Sequence, residues 1–66
     1  MQIYINGDEQ QISDGLNMSN LVQQLDLGDQ RFAIEVNEEL LPRSSFAEYR
    51  LKPGDRVEVV QAIGGG

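Results

Sequence analysis

A chain of 66 residues holds one domain near the lower limit for independent folding. It has no Cys for a disulfide and no His for an ordinary zinc site. Eleven acidic against five basic residues leave a net charge of −6; this disfavours nucleic acid and anionic membrane surfaces as partners and favours a protein with a basic docking surface. "MQIYINGDEQ" has neither the basic nor the apolar region of a signal peptide, and no apolar run approaches the roughly 20 residues of a bilayer span. A cytoplasmic location is therefore expected, and the absence of Cys fits a reducing compartment.

The first element is "QIYIN" at 2–6, where Ile3 and Ile5 point one way and Gln2, Tyr4 and Asn6 the other, the period of a half-buried strand. Asn6-Gly7 suits the positive φ angles of a tight hairpin, and "EQQIS" is its return strand, anchored by Ile12. After Asp14-Gly15 the period changes. Met18, Leu21, Val22 and Leu25 share one helical face, with Asn17 as N-cap and Gly28 as stop. Alternation resumes in "RFAIEVN", with Phe32, Ile34 and Val36 on one face and Ala33, Glu35 and Asn37 on the other.

Glu38-Glu39 reads as a turn into a short piece at Leu40-Leu41, which Pro42 confines to a sheet edge. Ser45 and Glu48 have the spacing of a capping box around one helical turn. Pro53-Gly54 fits the centre of a type II turn. "RVEVVQAI" is the last strand, with Val57 and Val59 inward and Val60 outward. The expected fold is α+β, written ββαββ: one helix on a small mixed sheet. Its core would be Ile3, Ile5, Leu21, Val22, Leu25, Phe32, Ile34, Val36, Leu51, Val57 and Val59. Residues 1–63 are expected to form the domain, and 64–66 a flexible glycine tail.

Catalytic chemistry has little footing here. Without Cys or His the usual activated nucleophiles are closed, and neither GxGxxG nor GxxxxGK[ST] occurs. Paired carboxylates of the kind acid–base work could use stand at Glu38-Glu39, but neighbouring side chains in a turn point apart into solvent. No metal site is expected. The ending "QAIGGG" is different, and three readings of Gly64, Gly65 and Gly66 stand side by side: a frayed end or linker remnant, a spacer to another protein, or a reactive terminal carboxylate. The last suits glycine, which has no Cβ to clash with the narrow walls of another enzyme's active site.

The whole chain resembles the ThiS family of thiamin-biosynthesis sulfur carriers, small members of the ubiquitin-like β-grasp group. The resemblance runs through "INGDEQ", "NLVQQL", "AIEVNEELLPRS" and "LKPGDRVEVVQAIGGG". Its most family-specific internal part is Val36-Asn37 followed by Leu41-Pro42-Arg43-Ser44. ThiS members end in a diglycine, here Gly65-Gly66. The resemblance implies a carrier that is not itself an enzyme and holds no bound cofactor. A ThiF-like adenylyltransferase would activate the Gly66 carboxylate with ATP and Mg²⁺. A desulfurase relay would then supply sulfur to give a Gly66 thiocarboxylate (1-thioglycine), and a ThiG-like thiazole synthase would receive it.

For docking, Tyr4, Ala33 and Val60 lie on the sheet face away from the helix, with Ile63 at the root of the tail. Glu35 and Glu58 would pair with basic groups at the rim of the partner. Alternatives are a molybdopterin-synthase small subunit, a carrier for another sulfur-containing metabolite, a protein-binding β-grasp module whose tail has no function, and a ubiquitin-like modifier. Chain length and "VNEELLPRS" favour the ThiS reading over the molybdopterin one.

Overall fold

The computed structural model describes residues 1–28 and 31–61. In chain order it contains β1 (Gln2–Ile5), β2 (Asp8–Gln11), α1 (Met18–Leu25), β3 (Phe32–Val36), β4 (Glu39–Leu41), a 3-10 turn (Arg43–Ser45) and β5 (Arg56–Gln61). The strands form one sheet in the order β2-β1-β5-β3-β4. Neighbours run antiparallel except β1 and β5, which are parallel. The last strand in sequence is thus the central strand in space.

Asn6 and Gly7 both take positive φ, 50° and 87°, and close the β1–β2 hairpin with Ile5 opposite Asp8. A second hairpin of the same kind joins β3 and β4, but its turn is Asn37-Glu38 (φ 52° and 71°), one residue earlier than expected. Glu39 is therefore a strand residue facing Val36. The Leu40-Leu41 piece becomes a full edge strand, and the order is ββαβββ rather than ββαββ.

Asn17 caps α1 as expected: its side chain accepts from the Asn20 N–H (2.8 Å), and the Asn20 side chain accepts in return from the Asn17 N–H (3.4 Å). The next free amides of the first turn find carbonyls far away in sequence. Met18 N–H donates to Tyr49 and Ser19 N–H to Phe46. These bonds bring the 46–49 segment against the helix, and Phe46 is buried there. The helix ends three residues before the expected Gly28, because Asp26 itself adopts the left-handed conformation (φ 51°) and its N–H turns back to Gln23.

The 3-10 turn starts at Arg43, after Pro42, without a side-chain cap. Ser45 contributes its carbonyl instead, accepting from Glu48 and Tyr49, so the expected capping box is not formed. Gly54 has φ 84° and Asp55 N–H donates to Lys52, as the Pro53-Gly54 turn requires.

The buried core is Ile3, Met18, Leu21, Ile34, Val36, Phe46, Leu51 and Val57. Ile5, Val22, Leu25, Phe32 and Val59, expected at its centre, are half-buried and pack around it. Met18 and Phe46 take their places because the segment after β4 covers the N-terminal end of the helix.

Candidate functional site: the open sheet face and the end of β5

The helix covers one face of the sheet and leaves the other to solvent. Register fixes what that open face carries. Ala33 is opposite Val60 and Glu35 opposite Glu58, while Leu40 lies beside Glu35 across the other edge of β3. On the far side of β5, Tyr4 is aligned with Arg56. Among the described residues, Leu40 and Val60 are the large apolar side chains most open to solvent, at 67% and 48% exposure.

Tyr4 and Val60 share this face but are not neighbours. Tyr4 lines a shallow groove with Gly7, Arg56 and Glu58, whereas Val60 lines another with Arg31, Phe32, Ala33 and Gln61. Val60 lies four positions along β5 from Arg56, the partner of Tyr4, about 13 Å of strand. Ile63, Gly64, Gly65 and Gly66 lie outside the described residues. The sequence pattern did not single out Leu40. Its outward position follows from pairing Ile34 with Leu41, which sends the residue before Leu41 to the opposite face.

The electrostatics of the face are uneven. Glu35 and Glu58 are directly opposite one another, an arrangement that disfavours the sheet unless an outside cation neutralises it. Glu38 pairs with Arg56 at 3.7 Å, with both side chains exposed, so this pair adds little stability.

The strongest internal polar constellation sits at the opposite end of β5. Asp55 is buried, and its carboxylate accepts from Tyr49 Oη (2.7 Å), Lys52 N–H (3.0 Å) and Asn37 Nδ2 (3.1 Å). Burial alone would raise its pKa; the Lys52 amide, Tyr49 and Asn37 outweigh it together with the Lys52 charge, and the net shift is downward. Desolvation and the bond to Asp55 push the Tyr49 hydroxyl up to about 12. An open groove of about 290 Å³ that Asn37, Tyr49 and Lys52 help to line lies beside this network, which ties three segments together. Among the described residues no group of three or more His, Cys, Asp or Glu could hold a metal ion, and no helix is long and apolar enough to cross a membrane.

One helix clasped by a five-stranded mixed sheet, with a central strand that leads to the chain's last residues, defines the ubiquitin-like β-grasp class. A crystal structure of the thiamine biosynthesis protein ThiS from Geobacter metallireducens superposes with a TM-score of 0.86 at 30% identity, covering all of both chains. The sequence profile of the ThiS family matches residues 3–66, and the chain belongs to that family. The sulfur carrier protein ThiS of Escherichia coli is 32% identical over the full length of both proteins. A thiazole synthase of Paramagnetospirillum magneticum is 36% identical over all 66 residues, but the chain spans only 20% of that protein's length.

Proposed function

We propose that this chain is a sulfur carrier for thiazole formation in thiamine biosynthesis, with the Gly66 carboxylate as its working group. The observation that carries the reading is the end-to-end match with ThiS proteins, in which the family span includes the three terminal glycines. A ThiF-like adenylyltransferase, using ATP and Mg²⁺, joins the carboxylate oxygen to the α-phosphate and releases pyrophosphate. The terminal sulfur of a persulfide on the desulfurase relay then displaces AMP at the carbonyl carbon, and a thiol reductant cleaves the resulting acyl disulfide, releasing the relay thiol and leaving a thiocarboxylate. The chain is the substrate of these steps and catalyses none of them.

A ThiG-type thiazole synthase as acceptor is supported by the Paramagnetospirillum protein, in which a stretch resembling this entire chain is part of a thiazole synthase. Docking of either partner falls to the open sheet face. Val60, Ala33 and Leu40 offer apolar contact, Tyr4 an amphipathic one, and the unneutralised Glu35–Glu58 pair calls for basic groups on the partner. Gly64 and Gly65 would thread into the partner, with Ile63 as the last side chain before them.

The test is reconstitution with a purified adenylyltransferase, ATP, Mg²⁺ and a desulfurase relay, followed by intact mass measurement. Exchange of one oxygen for sulfur at the C-terminus is the expected product. An unchanged mass, while an established carrier is modified in the same mixture, contradicts the proposal.

A further inference from the structure

The carrier chemistry uses neither turn asparagine, yet both are tied into the central strand. β5 lies between β1 and β3, and the hairpin turn that follows each of these strands sets an asparagine beside it. Asn6 and Asn37 both take positive φ, 50° and 52°. Each donates its N–H to a β5 carbonyl, Asn6 to Val57 (2.9 Å) and Asn37 to Arg56 (2.8 Å). Each also accepts a β5 amide on its side-chain oxygen: Asn6 from Val59 N–H (2.8 Å) and Asn37 from Arg56 N–H (3.0 Å).

Strand direction sends these two clamps to different places. β3 runs antiparallel to β5, so its turn falls at the start of β5, where Asn37 also donates to Asp55 (3.1 Å). β1 runs parallel to β5, so its turn falls beside the outgoing half. There the backbone register ends with Ile5 opposite Val57, and the Asn6 side chain takes the Val59 amide in place of a further strand residue. Val59 immediately precedes Val60, the exposed apolar side chain of the open face. Asn6 is itself exposed, so its bond to Val59 adds little to global stability.

We propose that Asn6 is a positioning residue for docking: its side-chain oxygen keeps Val59–Gln61 extended in the free carrier, so that Val60 meets the adenylating partner already in place. This rests on the carrier reading above. Asparagine does two separable things at this turn. Glycine meets the positive φ equally well but offers no acceptor, whereas aspartate tolerates the same φ and keeps one. Without the acceptor, Val59 N–H turns to water and the partner must order that stretch on binding. Ordering about one residue lowers affinity about tenfold.

The experiment is ATP–pyrophosphate exchange with a purified ThiF-like enzyme for wild-type, Asn6→Gly, Asn6→Asp and Asn37→Gly, in salt high enough to screen the charge that aspartate adds. Thermal unfolding and hydrogen exchange of the Val59 amide are measured on the same samples. Asn6→Gly should raise the KM for the carrier about tenfold, leave kcat unchanged and speed exchange at Val59. Asn6→Asp should restore both KM and protection. Asn37→Gly removes two side-chain bonds at the start of β5, so it should lower the unfolding midpoint more than Asn6→Gly while keeping the KM of wild type. A merely structural role would order the KM values as the midpoints are ordered.

Wild-type exchange with an undiminished KM in Asn6→Gly overturns the positioning role and leaves the carrier reading standing. A KM that Asn6→Asp does not restore, or that rises as far in Asn37→Gly, overturns it too. An Asn6→Gly chain that fails to fold does the same, since Asn6 then serves the fold. A wild-type chain that supports no exchange removes the carrier reading and the positioning role with it.

Discussion

The two ends of β5 are held in different ways. At its start, Asp55 and Arg56 are tied on both sides: Tyr4 N–H donates to the Asp55 carbonyl, Asn37 N–H to the Arg56 carbonyl, and Arg56 N–H to Asn37 Oδ1. The Asp55 carboxylate adds three more bonds. Toward its other end, β3 continues to pair as far as Gln61, but the register with β1 stops at Val57. Asn6 closes that side by accepting from Val59 N–H at 2.8 Å. One end anchors the strand in the fold, and the other presents it. Stability and function should therefore separate along a single strand.

The largest expected effect is at the presented end. Deleting Gly66 should abolish thiocarboxylate formation in the mass assay without moving the thermal unfolding midpoint. A substantial drop in the midpoint would mean that the tail belongs to the fold.

At the anchored end, Asp55→Ala should cost about 3 kcal/mol in urea unfolding, because a buried carboxylate is removed and three donors lose their acceptor. The molecules that remain folded should still be adenylated. Loss of adenylation at full folded population would join the two ends functionally and break the distinction.

Val60→Asp should leave stability within about 0.5 kcal/mol, the usual range for an exposed surface position. It should lower adenylation about tenfold by placing a charge in an apolar contact. Unchanged turnover would remove Val60 from the interface.

The smallest effects concern pH. Asp55 is below its ordinary value of 3.8 in the fold, so the unfolded chain binds the extra proton in acid. Its contribution is present above about pH 4 and is lost as pH falls through the lowered folded value. Tyr49 has the opposite sign. Its folded pKa of about 12 against an ordinary 10.0 means that stability falls as pH rises between these values. Tyr49→Phe should cost about 1 kcal/mol at neutral pH and flatten that alkaline decline, measured by urea unfolding at a series of pH values.

The elements themselves were legible in the residues, since strand alternation, Asn6-Gly7 and the Asn17 cap act locally. The errors lie where distant segments decide. Nothing near Phe46 indicates burial; carbonyls of its segment must first satisfy the amides of Met18 and Ser19. Asp55 in "KPGD" reads as a solvated turn residue until Asn37 and Tyr49, 18 and 6 residues away, supply its partners. Leu41 being inward, and Leu40 therefore outward, depends on a hairpin turn one residue earlier than the paired glutamates suggested.

The docking face was readable residue by residue from alternation, but not as a map. Strand pairing places Ala33 beside Val60 and Tyr4 beside Arg56, information absent from any single strand. The chemistry of the tail came from the resemblance, because three glycines alone fit several uses.

The most direct test of the carrier account is the intact mass of the wild-type chain after incubation with adenylyltransferase, ATP, Mg²⁺ and the sulfur relay. The account predicts replacement of one oxygen by sulfur, located by fragmentation at Gly66 and lost again when a thiazole synthase and its substrates are added. A chain that stays unmodified while an established carrier gains sulfur in the same vessel, or that gains it anywhere other than Gly66, contradicts it.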